Sequence, residues 1–141
     1  MLRTTYPLIL PVSGILHPIA ETALSGTIVP GHNASQDAYF YSSMSGYPNG
    51  ASASWGFVAA GGAVTFSVLG LTAANGGLVD WYLNGVLVAA AQDWYSVGTT
   101  FNIVKTFTAT LPTGLNTLKY VVNGHSAGTG YAFLHSFVWW K

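Results

Sequence analysis

Leu78-Val79-Asp80-Trp81-Tyr82-Leu83-Asn84-Gly85-Val86-Leu87-Val88 decides the fold class. Strand-forming residues run up to an Asn-Gly pair and resume directly after it. A two-residue type I′ turn needs positive φ twice, and Asn followed by Gly is the pair that adopts it most readily. Residues 78–88 are therefore predicted to form a β-hairpin, and the rest of the chain repeats the theme. Upstream, Ala63 to Leu69 alternates, with Val64, Phe66 and Val68 on one face and Thr65 and Ser67 on the other. Downstream, Phe101 to Leu111 sets Phe107, Ala109 and Leu111 against Thr106, Thr108 and Thr110. Leu111-Pro112-Thr113-Gly114 then turns the chain. Leu115 to Val122 runs back with Leu118, Tyr120 and Val122 on one face, and Tyr131 to Trp140 closes the sequence. That last run is aromatic on both faces, which predicts cover on both faces.

The remaining text is poor in structure of other kinds. Residues 42–62 are rich in Ser, Gly and Ala and read as a long loop leading to a short strand at Trp55 to Ala59. Helical periodicity is confined to Ile19 to Leu24, at most a turn or two. The expectation is an all-β, antiparallel fold of two sheets over about residues 38–140. Val64, Phe66, Val68, Trp81, Leu83, Phe107, Leu111, Leu118, Tyr120 and Phe133 are expected to line its core.

Composition narrows the function classes. Charged residues make up 6% of the 141, where about a quarter is usual, while 50% are hydrophobic and the formal net charge is zero. Solubility normally relies on charge, so much of the surface is expected to be covered by copies of the chain or by partner subunits. A mass of 14.8 kDa suits one domain. Four Lys and Arg cannot neutralise a nucleic-acid backbone, so no nucleic acid is expected as a partner. With no apolar run of 18 residues, no membrane span is expected. The absence of Cys removes disulfides, zinc thiolates and thiol nucleophiles together.

Residues 1–25 loosely imitate a secretory signal, with Met1-Leu2-Arg3 ahead of an apolar stretch and Ala23-Leu24-Ser25-Gly26 behind it. Pro7, Pro11, Pro18, His17 and Glu21 break that pattern. Residues 1–25 are instead expected to be an extended N-terminal arm, followed by the sandwich over 26–141. Tyr6, Leu8, Ile9, Leu10, Ile15 and Leu16 of the arm, with Trp139 and Trp140, are expected to form an interface with a neighbouring subunit.

Residues 55–140 carry a family resemblance. A strand ending Leu83-Asn84-Gly85-Val86 is followed by a Thr-alternating strand, then Leu111-Pro112-Thr113-Gly114-Leu115-Asn116-Thr117-Leu118-Lys119-Tyr120-Val121-Val122, a Gly/Ser loop, Gly130-Tyr131 and an aromatic strand. This resembles the jelly-roll β-sandwich of galactose-binding-like carbohydrate-binding modules and of related phage virion proteins. Asn116 stands where the pattern usually has His. The resemblance implies an antiparallel jelly-roll β-sandwich.

Catalytic constellations are missing from the sequence. His17, His32, His125 and His135 have no metal-ligand spacing, and structural roles are expected for them. Asp80 and Asp93 sit one on each arm of the hairpin or its continuation. Glu21 and Asp37 are the other acids, too few to suggest a glycosidase pair. Asp93 is expected to satisfy loop backbone donors. No nucleophile elbow, P-loop or dinucleotide fingerprint occurs, so no enzyme activity, cofactor or metal is expected. Tyr39, Tyr41, Trp94 and Tyr95 form an alternative set, able to stack on a sugar. A core or interface role is preferred for them, because polar side chains to fix hydroxyls are scarce.

Together these readings predict a virus structural protein: a phage capsid decoration protein on the virion surface. It would be a homotrimer whose partners are itself and the major capsid protein or other virion subunits. The alternative is a glycan-binding receptor module, a tail-fibre tip or lectin-like domain.

Overall fold

The computed structural model describes residues 9–35, 40–44 and 48–141, with 40–44 described through the backbone alone. Strands dominate it: β1 (Gly14–Leu16), β2 (Thr22–Ser25), β3 (Ile28–His32), β4 (Phe40–Met44), β5 (Ser52–Ala59), β6 (Gly62–Thr72), β7 (Leu78–Leu83), β8 (Val86–Asp93), β9 (Thr100–Leu111), β10 (Gly114–Val122) and β11 (Leu134–Trp140). They form two sheets, one in the order β3-β4-β11-β6-β9 with β1 also on β11, the other β2-β5-β10-β7-β8. Every strand pairing is antiparallel. The expected antiparallel sandwich is what the chain builds.

The founding hairpin is present as read. Asn84 and Gly85 have φ of 50° and 82° between β7 and β8, the double positive φ of a type I′ turn. Its tip is held by Asn116, which is 1% exposed. The Asn84 Nδ2 donates to Asn116 Oδ1 at 2.9 Å, and Asn116 Nδ2 donates to the Pro112 and Gly114 carbonyls. The side chain at the position where the pattern has His therefore ties one hairpin to the next turn.

Alternation places the core as expected, because successive strand residues point to opposite faces. All ten predicted core residues are buried. Trp81 and Phe66 stack on either side of Phe107, at 5.1 and 5.0 Å between ring centres. Asp80 is also buried, yet satisfied: it accepts from the Ala91 N–H at 2.8 Å and from Asn123 Nδ2 at 2.9 Å. Ala91, at φ 53°, is a bulge residue on β8, and the carboxylate holds it.

The N-terminal expectation is corrected over residues 14–25, which belong to the sandwich itself. Gly14–Leu16 pairs with the end of β11, and Thr22–Ser25 pairs with β5 in the opposite sheet. Between them Pro18 opens a single 3-10 turn, with His17 capping through Nδ1 to the Ile19 N–H at 3.1 Å. Pro18 marks the crossing from one sheet to the other. Ile19 to Leu24 is accordingly not an α-helix, because Thr22 onward is strand.

Leu16 and Trp140, expected at a subunit interface, are 5% and 3% exposed within the chain's own core. Their strand neighbours Ile15 and Trp139 point to the opposite face. Ile9 and Ile15 are exposed, at 86% and 70%, and Leu10 is half-buried. Tyr6 and Leu8 lie outside the described residues. β11 is a central strand, flanked by β6 on one side and by β4 and β1 on the other. Its inward face carries Val138 and Trp140 in the core, and its outward face carries the half-buried Phe137 and Trp139.

Candidate functional site

Three loops meet at one end of the sandwich: β6–β7 (73–77), β8–β9 (94–99) and β10–β11 (123–133). Backbone hydrogen bonds lock them. Gly76 and Ser96 donate to the Ala73 carbonyl at 2.9 and 3.1 Å, Ala132 to that of Asn75 at 2.8 Å, and Trp94 to that of Gly77 at 3.0 Å. The packing leaves no room for side chains. A Cβ at Gly76 would stand 1.9 Å from the Trp94 carbonyl oxygen, and one at Gly130 would stand 2.3 Å from that of Asn75.

On this floor lies a cleft of about 320 Å³, lined by Asn33, Leu71, Ala73, Asn75, Thr99, Phe101 and Leu134. Asn75 and Thr99 are exposed, and no hydrogen bond to a described residue engages the Asn75 amide or the Thr99 hydroxyl. The Asn33 Oδ1 accepts from the Ser35 N–H at 2.9 Å, which fixes its loop and leaves its amide N–H groups to donate. Phe101 presents a half-buried ring beside them. None of the lining residues is charged. Donors and acceptors beside a flat apolar ring suit a neutral polyhydroxylated ligand.

The residues of the alternative sugar-stacking set divide. Trp94 is 0% exposed. Its Nε1 donates to Gln92 Oε1 at 3.1 Å, its ring centre lies 5.3 Å from that of Phe133, and Gly70 makes room for it. Trp94 therefore takes the core role preferred for it and not the alternative one: it supports the loop end from beneath and offers no face to a ligand. Tyr95 is half-buried beside Gly128. Its N–H donates to Asp93 Oδ1 at 2.8 Å, the loop-satisfying role expected for that acid. Tyr39 and the side chain of Tyr41 lie outside the described residues. Asn33, Asn75, Thr99 and Phe101 were not anticipated. The signal available for one of them was the turn sequence Ala74-Asn75-Gly76-Gly77.

A second concavity, of about 660 Å³, lies where β1 meets β11 and is lined by Ser13, Gly14, Ile15, Phe137, Trp139, Trp140 and Lys141. It brings together three residues expected at an interface, Ile15, Trp139 and Trp140. Trp139 and Ile15 are register partners. Among the described residues the buried Trp140 Nε1 has no hydrogen-bond partner, and a Cβ at residue 14 would stand 2.8 Å from it. Glycine at 14 is what lets the indole fill this edge.

The titratable groups serve structure. His135 Nε2 and Glu21 Oε2 meet at 2.9 Å with both side chains fully buried, and His135 Nδ1 lies 3.0 Å from the Ser136 carbonyl. The rings of Trp55, Tyr120 and Phe133 enclose the imidazole within 5.5 Å. Burial, reinforced by the Glu21 carboxylate, pushes the Tyr120 phenol far above its ordinary range. This pair bolts the β1–β2 segment to β11 and has no route to a substrate. His17 packs edge-on against Phe137 at 4.9 Å, and His125 lies against Tyr131 at 5.2 Å. Among the described residues no group of three His, Asp or Glu is placed to hold a metal ion.

No protein-family model matches the sequence, nor does any curated protein sequence. Solved structures do match. A family 35 carbohydrate-binding module from Clostridium thermocellum superposes with a TM-score of 0.69 at 15% identity, over 92% of this chain and 98% of that one. The fold is that of these modules. A CBM36-1 domain of a multidomain xylanase from the hindgut metagenome of Trinervitermes trinervoides matches with a TM-score of 0.61 at 18% identity, over 92% and 96%. Paenibacillus xanthan lyase matches with a TM-score of 0.73 at 17% identity, over 95% of this chain and 13% of the lyase. Similarly, the chain covers 29% of an exo-β-1,3-galactanase from Phanerochaete chrysosporium. The full-length matches are thus to carbohydrate-binding modules, and the enzymes are matched over a part of their length.

Proposed function

We propose that this chain is a non-catalytic carbohydrate-binding module that holds a neutral saccharide in the loop-end cleft. The observation that carries the reading is the cleft's lining: unengaged polar groups of Asn75 and Thr99, the Asn33 amide and the Phe101 ring on a loop floor fixed by close glycine packing. Sugar hydroxyls both donate and accept, as amides do, and the C–H face of a pyranose packs on an aromatic ring. A rigid floor lowers the ordering cost of binding. The end-to-end match to free-standing binding modules supports the same reading. The comparisons favour it over capsid decoration, and they lend no support to a homotrimer or to shell partners.

The solved neighbours belong to proteins named for xanthan, β-1,3-galactan, xylan and β-1,4-mannan, so those polymers form the panel. Affinity electrophoresis through gels containing each one should retard the wild-type chain in at least one gel. Phe101→Ala and Asn75→Ala should each weaken retention about tenfold, the value of one good contact. An unretarded wild-type chain, or variants retarded as strongly as wild type, would overturn the proposal.

A further inference from the structure

One residue beside the loop-end cleft breaks the alternation of its strand. Asn102 on β9 has φ 58°, a left-handed conformation that side chains rarely adopt and that asparagine tolerates better than most. The register shows what it does there. Gly70 pairs with Ile103 and Thr72 with Thr100, so Leu71 alone on β6 stands opposite both Phe101 and Asn102 on β9. Two residues against one make a β-bulge. The consequence falls on Phe101. Ile103 packs against the core, and strict alternation would send the ring two residues before it into the core as well. The inserted residue resets the count, and Phe101 instead lines the cleft with Leu71 and Leu134.

The same residue reaches a second part of the lining. Asn102 Nδ2 donates to the Ser35 carbonyl at 3.2 Å, and the Ser35 N–H donates to Asn33 Oδ1 at 2.9 Å. We infer that Asn102 is the positioning residue of the loop-end cleft: its left-handed backbone turns Phe101 into the cleft, and its amide ties the Asn33 turn to β9. The consequence for binding rests on the saccharide reading above, whereas the positioning itself does not. Bulges re-aim side chains beside active sites, and a non-glycine residue held at positive φ persists only where its surroundings require it. Glycine would adopt this φ without strain but has no amide to make the tether. Asparagine does both.

Two substitutions separate the two roles. Asn102→Gly keeps the left-handed backbone and drops the amide. Asn102→Val drops the amide and also resists positive φ, because its side chain is β-branched. Asn102 is exposed, so both leave the core intact. In the ligand-free chain, NMR contacts between the Phe101 ring and the Leu71 and Leu134 methyls should persist in Asn102→Gly and disappear in Asn102→Val. The Asn33 side-chain amide should shift in both. In gels containing the retarding polymer, Asn102→Gly should weaken retention about threefold, the value of one modest hydrogen bond, and Asn102→Val about tenfold. On a Phe101→Ala background the two variants should weaken retention equally, because the ring whose aim distinguishes them is gone. A difference between them that survives on that background would mean general destabilisation and overturn the proposal. So would Phe101 contacts that remain in Asn102→Val, an Asn33 amide unmoved in Asn102→Gly, or retention equal to wild type in both variants. If no polymer retards the wild type, the saccharide reading fails, and the ligand-free contacts alone then confirm or overturn the positioning by Asn102.

Discussion

The loop-end cleft and the β1–β11 groove are both hollows in one sandwich, yet they are held open by different means. The cleft is a loop structure, uncharged and rich in amides. Its shape depends on glycines that let three loops touch backbone to backbone. The groove is a strand structure, aromatic and aliphatic, and its wall exists because a short N-terminal strand docks on β11. A buried Glu21–His135 contact bolts that strand's segment down. The comparison teaches that the two hollows of this fold have separable supports, so either can be damaged without the other.

The sharpest separation should come from Gly76→Val. A Cβ there meets the Trp94 carbonyl at 1.9 Å, and backbone cannot yield as a side-chain tip does. We expect a loss of about 3 kcal/mol or more in urea unfolding, the upper range of overpacking costs. Any folded fraction should lack cleft binding and retain the quenching of the half-buried Trp139 by aqueous iodide. On the other side, Glu21→Ala leaves His135 buried without its carboxylate partner and should cost about 3 kcal/mol. In this case Trp139 should become more accessible to iodide while retention attributable to the cleft persists. Equal damage to both surfaces by either substitution would break the separation.

Two smaller effects sharpen the account of the frame common to both. Tyr120 has a folded-state pKa raised above its ordinary 10.0, first by desolvation and then by Glu21. The unfolded chain therefore loses this proton first. The stability it contributes is fully present below about pH 10 and is lost as pH rises beyond it. Unfolding free energy should fall by about 1.4 kcal/mol per pH unit there, and Tyr120→Phe should flatten the slope. Gly85→Val, at φ 82°, should cost about 1 kcal/mol. An unchanged thermal midpoint in that variant would contradict the turn assignment.

Legibility in the sequence followed locality. Asn84-Gly85 and the alternation around Phe66, Phe107 and Tyr120 encode their geometry within a few residues, so hairpin, core and fold class could be read directly. The N-terminal strands could not, because Gly14–Leu16 and Thr22–Ser25 are short, flank Pro18, and become strands only by pairing with Trp140 and Ser54 far along the chain. Apolar character also did not tell core from surface near the N-terminus: Leu16 and Trp140, assigned to an interface, lie in the chain's own core. Residue type does not say which face a ring takes. Trp94, read as a candidate platform, is core, whereas Trp139 is the indole left near solvent. Asn33, Asn75, Thr99 and Phe101 are ordinary residues from separate segments, and folding alone makes them neighbours.

The central claim is that the loop end holds a sugar. Amide-resolved NMR titration with oligosaccharides of the retarding polymer tests it most directly, since each group reports for itself. The account predicts saturable shifts at the side-chain amides of Asn33 and Asn75 and at the backbone amides of Thr99 and Phe101, with Gly85 at the opposite turn unmoved. Shifts that avoid these four residues, or none at saturating saccharide, would contradict it.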